Sequence, residues 1–227
     1  PASSGSGELS SPTPPPPGPP LPFTATTPPP PLPPGPPPPG PPPGTPFCSP
    51  RGALIIIPPI CDEHGPQVDY EGELALIVGR DCRDVPEQDA LSVLAGYAAA
   101  NDVTARWWQR EGGGGQFCRG KGFDTFCPIG AMVPASAVRD PQSLRVVTRL
   151  NGTVMQDSST SLMLHPVARI IAELSRGTTL LSGTVILTGT PAGVGFGRNP
   201  KVFMQAGDVV EVEIEGVGHV RNPVKHA

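Results

Sequence analysis

Several features are scarce in this chain, and each scarcity removes a class of function. Basic runs are missing: 16 Lys and Arg stand against 20 Asp and Glu, a net charge of −4, which speaks against nucleic-acid binding. Long apolar runs are missing too. The longest, Ala53-Leu54-Ile55-Ile56-Ile57, is cut by Pro58-Pro59 and has the length of a strand rather than of a membrane span. The first residues carry neither the basic nor the apolar region of a secretory signal. A cytoplasmic location is therefore expected, with mitochondria as the alternative if the true N-terminus is absent. Cysteines are few and odd in number, at 48, 61, 82, 118 and 127, with no C-x-x-C spacing. That pattern fits neither a disulfide framework nor a zinc site and suits a reducing compartment, with most of the thiols expected as small buried side chains. In such a setting Asn151-Gly152-Thr153 reads as a turn rather than a glycosylation sequon.

Proline, by contrast, is abundant and concentrated. Residues 1–50 hold most of the 35 prolines. Such a tract has too few amide donors for a helix or a central strand and is expected to stay extended and solvated. It contains P-x-x-P matches, Pro12-Thr13-Pro14-Pro15 and Pro33-Pro34-Gly35-Pro36, the shape that SH3 and WW domains take, though without a flanking cation. Residues 1–50 are read as a disordered tail and residues 51–227 as one domain, long enough for a proper core.

The informative stretch is Val68-Asp69-Tyr70-Glu71-Gly72-Glu73-Leu74-Ala75-Leu76-Ile77-Val78-Gly79. At strand periodicity one face is apolar throughout, and the other begins acidic and ends as Ala75 and Ile77. Glu71 and Glu73 thus share a face at the edge of a core, roughly 7 Å apart by strand geometry. Their repulsion near a low-dielectric core calls for a proton or a cation between them, and a hard divalent ion such as Mg²⁺ or Mn²⁺ meets that need. A solvated acidic strand face is the competing reading of these two residues taken alone.

Residues 54–57 read as a first strand and 61–67 as a turn. Residues 84–99 read as a helix, with Asp84 as cap, Pro86 in the first turn, and Leu91, Leu94, Ala95 and Ala98 on one face. A glycine-rich loop follows at 112–115. Residues 144–156 read as a hairpin about Asn151-Gly152, 166–176 as a helix stopped by Gly177, 184–188 as a short strand, and 208–220 as two strands about Glu215-Gly216. The class is α+β with a mostly antiparallel, β-rich core.

Five pieces in order resemble the fumarylacetoacetate hydrolase family in its smaller, single-domain branch. They are Asp69-Tyr70-Glu71-Gly72-Glu73-Leu74; Asn101-Asp102-Val103-Thr104-Ala105-Arg106 with Gln109; Gly120-Lys121-Gly122-Phe123-Asp124-Thr125-Phe126-Cys127-Pro128-Ile129-Gly130; Asn151-Gly152 with Met155-Gln156-Asp157; and Leu187-Thr188-Gly189-Thr190-Pro191-Ala192-Gly193-Val194-Gly195. The resemblance runs from about residue 54 to 224. It implies a β-rich mixed roll of the fumarylacetoacetase C-terminal type. It also implies a divalent metal, Mg²⁺ with Mn²⁺ or Ca²⁺ as alternatives, held by Glu71, Glu73 and Asp102. The implied activity is cleavage of a carbon–carbon bond in a 2-oxo acid or 1,3-dicarbonyl compound of the acylpyruvate or oxaloacetate type, by a hydrolase or lyase. Lys121 matches the family's active-site lysine, Arg106 and Gln109 match substrate-binding positions, and Thr190 would bind the substrate carboxylate. A homodimer is implied as well.

Two departures bear on the reaction. Hydrolytic relatives bring a His–Glu pair from a segment upstream of the first strand, whereas the proline tract contains no histidine, and His64 stands in another context. The family's Pro-Ile-Gly-Pro ends here in Ala131. Loss of CO₂ needs no activated water, and hydrolysis does. An isomerase of the same family, or a weakly catalytic metal-binding scaffold whose tail recruits SH3 or WW partners, are the alternative readings.

Overall fold

A computed structural model describes residues 53–227; the proline tract and its P-x-x-P matches lie outside the described residues. The strands in chain order begin with Ile55–Ile57 (β1), Val68–Asp69 (β2), Gly72–Val78 (β3), Leu94–Asn101 (β4) and Thr104–Ala105 (β5). Two short helices follow, Arg106–Gln109 (α1) and Phe117–Lys121 (α2), then Val133–Pro134 (β6), Arg145–Leu150 (β7) and Thr153–Ser159 (β8). The longest helix, Val167–Ser175 (α3), precedes Val185–Leu187 (β9), Val209–Ile214 (β10) and Gly218–His226 (β11).

The strands form a five-stranded sheet in the order β1-β11-β10-β7-β8, a four-stranded sheet in the order β6-β4-β3-β9, and a small β2-β5 pair. Every named pairing is antiparallel except β1 on β11. The main core fills the space between the two larger sheets and α3: Leu74, Leu76 and Val78 of β3 meet Val146, Val212, Ile214, Ile171 and Ile186. Burying such branched side chains contributes about 1.5–3 kcal/mol each against leaving them in water. A second cluster gathers Ile55, Val68, Tyr70, Val103, Val210 and Val224 around the small β2-β5 pair.

The acidic stretch is not one strand. It breaks at Tyr70-Glu71, so that β2 pairs with β5 while β3 pairs with β4 and β9 in another sheet. All seven residues of β3 are buried. The solvated acidic face weighed for Glu71 and Glu73 therefore does not occur.

The helix expected over 84–99 is absent. Glu87–Val93 is a 3-10 turn, and the chain then runs straight into β4. The cause is compositional: Leu94-Ala-Gly-Tyr-Ala-Ala-Ala is apolar at every position, so helical and strand periods fit it equally well. What decides is the neighbour, because β4 supplies the backbone partner for all of β3, from Gly72↔Asn101 to Val78↔Leu94. Gly96 permits close approach there, since a Cβ on it would lie 2.2 Å from the Val133 carbonyl. Asp84 caps no helix N-terminus: at the C-terminal end of α3 its backbone N–H donates to Ser175 O at 2.8 Å and its Oδ1 accepts from Gly177 N at 2.7 Å.

The expected turn at Asn151-Gly152 holds, and the expected burial of the thiols does not. Asn151 (φ 52°) and Gly152 (φ 80°) both take the positive φ that a type I′ turn demands. Of the four described thiols only Cys61 is buried; Cys82 and Cys127 are half-buried and Cys118 is exposed, so small buried side chains are the minority. Among the described residues no helix is long and apolar enough to cross a membrane.

Candidate functional site

The break in the acidic stretch places its carboxylates. Glu71 lies in the break, its N–H donating to Asn101 Oδ1 at 2.9 Å and its carbonyl accepting from Asp102 N at 2.9 Å. These two bonds lock the start of β3 to the end of β4. Glu73, two residues on, points to the same side, and Asp102 joins them from the neighbouring strand end. One carboxylate oxygen from each of Glu71, Glu73 and Asp102 lies within 4.8 Å of the others, and all three residues are buried. The three residues expected to ligate a cation are thus brought together.

Two cations serve this cluster. Lys121 donates from Nζ to Glu71 Oε2 at 2.8 Å, to Thr104 Oγ1 at 3.1 Å, and to Asp102 Oδ2. Arg106 Nη1 lies 2.6 Å from Glu71 Oε1 and donates to Gln109 Oε1 at 3.1 Å, while its Nε donates to Asp69 Oδ2 at 2.9 Å. Its Nη2 is 2.8 Å from Asp69 Oδ2 yet has no N–H aligned on an acceptor. Arg106 and Gln109, both buried, therefore face each other, and Arg106 faces the carboxylates of Asp69 and Glu71. Among the described residues no cation forms an ion pair with Glu73; its Oε2 accepts from Gly189 N at 2.7 Å.

The electrostatics follow from that division. Burial, together with the charge of Asp102, raises the Glu73 carboxyl from its ordinary 4.5 to about 8, against the lowering effect of the Gly189 amide. Burial raises Asp102 and Asp69 as well, partly offset by Lys121 and Arg106 respectively. Burial works against the Lys121 charge, but its bonds to Asp102 and Glu71 outweigh this and hold it above its usual range. Cys127, at positive φ (74°), has its thiol pushed up to about 11 by burial and then by Asp102 and Glu73.

Does this donor set suit a divalent ion? Four mutually linked carboxylates, Asp69, Glu71, Glu73 and Asp102, face two cations, Arg106 and Lys121. With all four ionised two negative charges are left over, and the least compensated carboxylate, Glu73, belongs to the triad. An all-oxygen set of that charge fits a hard dication.

Thr190 reaches the site from a glycine-rich loop after β9. Its Oγ1 donates to Gly72 O at 3.0 Å and accepts from Gln156 Nε2 at 2.8 Å. His64 does not enter the cluster; it stacks on Trp107 with ring centroids 3.5 Å apart. A groove of about 450 Å³ runs along Gly72, Glu73 and Leu74 toward Met163 and Ile170. Its lining includes Glu73 and, from the loop after β9, Gly189, Thr190 and Pro191.

Two residues without an assigned role prove central. Asp69, wholly buried, accepts from Gly195 N and Phe196 N at 2.8 Å each besides holding Arg106. Gln156, also buried, ties the Thr190 loop to Gly72. For Asp69 the available signal was a polar residue between Val68 and Tyr70; Gln156, between Met155 and Asp157, carried no such signal.

Comparison with known proteins agrees with this architecture. The family model described as fumarylacetoacetate (FAA) hydrolase C-terminal matches residues 43–225. Oxaloacetate tautomerase fahd2, mitochondrial, of Xenopus laevis is 45% identical over 163 residues, 71% of this chain and 51% of that protein. Human oxaloacetate tautomerase FAHD2A, mitochondrial, is 43% identical over 171 residues, 75% of this chain and 53% of its own length. The chain thus spans about half the length of these curated relatives. Among solved structures, the fumarylacetoacetate hydrolase of Exiguobacterium antarcticum superposes with a TM-score of 0.71 at 48% identity, covering 78% of this chain and 62% of that one. With the buried carboxylate triad on this fold and the motifs in register, the chain belongs to the fumarylacetoacetate hydrolase family.

Proposed function

We propose that the chain acts on 2-oxo acids of the oxaloacetate type with a divalent cation, Mg²⁺ in the first place, and that the reaction is interconversion of their keto and enol forms. The observation that carries this reading is the protonated Lys121 set against the carboxylate triad, a fixed positive charge where an enolate would form. The names of relatives support it: those in Xenopus and human are called oxaloacetate tautomerases, and a Mycobacterium smegmatis structure of 42% identity is called a 5-carboxymethyl-2-hydroxymuconate delta-isomerase.

Glu71, Glu73 and Asp102 are the residues that would hold the cation. When bound, it would polarise the 2-oxo carbonyl and offset the charge of the enolate. The chain's own groups do the rest. Arg106 and Lys121 fix the two oxygens of Glu71, and Asp69 fixes Arg106. Lys121, whose three N–H groups are bonded to Glu71, Asp102 and Thr104, would give up one of these bonds to donate to the enolate oxygen. The loop of Thr190 receives the substrate carboxylate, with Gln109 supporting Arg106. Tautomerisation moves one proton from C3 to the 2-oxygen, breaks no carbon–carbon bond and consumes no water. It therefore asks for no base to activate water, and among the described residues no histidine touches the triad. The same relatives are named mitochondrial, and we place this chain in that compartment, as a homodimer.

The test is the decay of enol absorbance of oxaloacetate with purified chain and Mg²⁺ or Mn²⁺, run beside an assay for pyruvate. Acceleration that EDTA abolishes and Glu73→Ala removes is expected. Equal rates with and without EDTA would overturn the reading, and pyruvate release at the same rate would make the activity a decarboxylation.

A further inference from the structure

Gly72 separates two of the triad's carboxylates, and its backbone lacks a strand on one side. It pairs with Asn101 of β4, but on the other edge β9 begins pairing only at Ala75↔Leu187. Side chains take the place of that missing strand. Gly72 N donates to Gln156 Oε1 at 3.0 Å, and Gly72 O accepts from Thr190 Oγ1 at 3.0 Å. Gln156 Nε2 closes the ring, donating to Thr190 Oγ1 and to Pro191 O at 2.8 Å each. Gln156 is 1% exposed and uses both ends of its amide here. The loop is pressed onto the same strand, since a Cβ on Gly193 would sit 2.3 Å from Met155 O.

This network settles what Thr190 can offer. A hydroxyl has one proton, and that proton goes to Gly72 O. Among the described residues no acceptor meets the backbone N–H of Thr190, which leaves this amide as the donor for an anionic group. We propose that Gln156 is a positioning residue: by holding the Thr190 hydroxyl and the Pro191 carbonyl, it presents the Thr190 amide to a substrate carboxylate. Through Gly72 it also sets the spacing of Glu71 and Glu73. The inference rests on the substrate reading above for its carboxylate and on geometry alone for its hydrogen bonds.

Two variants separate the two ends of the amide. Gln156→Glu keeps an oxygen acceptor for Gly72 N and lacks both donors to the loop; Gln156→Met loses all three bonds at similar volume. In Gln156→Glu, hydrogen exchange in peptides covering residues 189–195 is expected to speed up about tenfold while the β7-β8 hairpin is unchanged. Oxalate, a planar dicarboxylate, is expected to bind the Mn²⁺-loaded chain about tenfold more weakly, with Mn²⁺ affinity held within about threefold and KM raised far more than kcat falls. Gln156→Met is expected to weaken Mn²⁺ binding as well. Thr190→Val, which spares Gln156, should reproduce the exchange pattern and combine non-additively with Gln156→Glu.

Unchanged loop exchange in both Gln156→Glu and Thr190→Val overturns the proposal, as does an equal rise in exchange across every strand. A wild-type chain that binds Mn²⁺ but not oxalate overturns the substrate reading and the carboxylate half of the proposal together. The exchange and Mn²⁺ measurements still decide the positioning of Gly72 and the loop.

Discussion

A methyl group on Gly72 would sit 2.1 Å from the hydroxyl oxygen of Thr148. Thr148 is fully buried in the facing sheet and Val212 Cγ1 stands at 3.1 Å beside it, so neither side has room to give. The glycine between Glu71 and Glu73 thus lets two sheets close on each other directly behind the acidic cluster. Gly72→Ala is expected to cost about 1–3 kcal/mol of stability by overpacking and to weaken Mn²⁺ binding, both read by urea denaturation and calorimetry. Thr148→Ala in the same chain should restore a large part of each.

Glu73 makes the metal-free protein sensitive to alkali. Its carboxyl titrates near 8 when folded against 4.5 for the free side chain, so folding favours the protonated form. That contribution is complete below about pH 4.5 and disappears as the pH rises through 8. The thermal midpoint of the chain in EDTA should therefore fall between these limits. Ligation needs the ionised carboxylate, so affinity for Mn²⁺ should increase with pH over the same interval. A flat midpoint in EDTA would show that Glu73 is already ionised at low pH.

Lys121 is expected to separate binding from turnover. Lys121→Met takes a cation away from Glu71 and Asp102, leaving the triad more negative. The metal-free chain should lose about 3 kcal/mol, the usual consequence of stranding a buried charge. Mn²⁺ should bind at least as tightly as before, whereas enol decay should slow by about two orders of magnitude. Retained activity with Mn²⁺ bound would remove Lys121 from the chemistry.

Asp69 is expected to matter as much as the triad without touching a metal. It holds Arg106 and two amides of the loop at 195–196. Asp69→Asn keeps the shape but removes the charge facing a buried guanidinium, for an expected loss of about 3 kcal/mol. Arg106→Met in the Asp69→Asn background should cost less than it does alone, since the two losses share one interaction.

The residues show why some of this was readable in the chain and some was not. Asn151-Gly152 announces its turn because few residues tolerate two successive positive φ values. Glu71 and Glu73 stand out because acids beside an apolar run demand compensation, whereas Asp102 is singled out by the family motif alone. Residues 94–100 were misread because an all-apolar segment carries no period, and only its partner β3 makes it a strand. The break at Tyr70-Glu71 was hidden for a related reason: alternation continues through it, while the change of sheet is a tertiary event. Arg106 and Gln109 meet in the fold, but nothing in their spacing indicates that Asp69 and Glu71 occupy the guanidinium.

The pairing of β1 with β11 has a consequence for how the molecule is made. Ile55 lies beside Val224, and Asn222 Nδ2 reaches back to the carbonyl of Ala53 across 169 positions. A ribosome delivers the first of these partners long before the last. During synthesis β1 must wait unpaired, and the sheet's rim is finished only after residues 218–226 have emerged. Removing those residues by a premature stop would strip β10 of one neighbour and β1 of its only strand partner among the described residues, leaving a nascent product exposed to proteolysis and aggregation even though Glu71, Glu73 and Asp102 had all been translated.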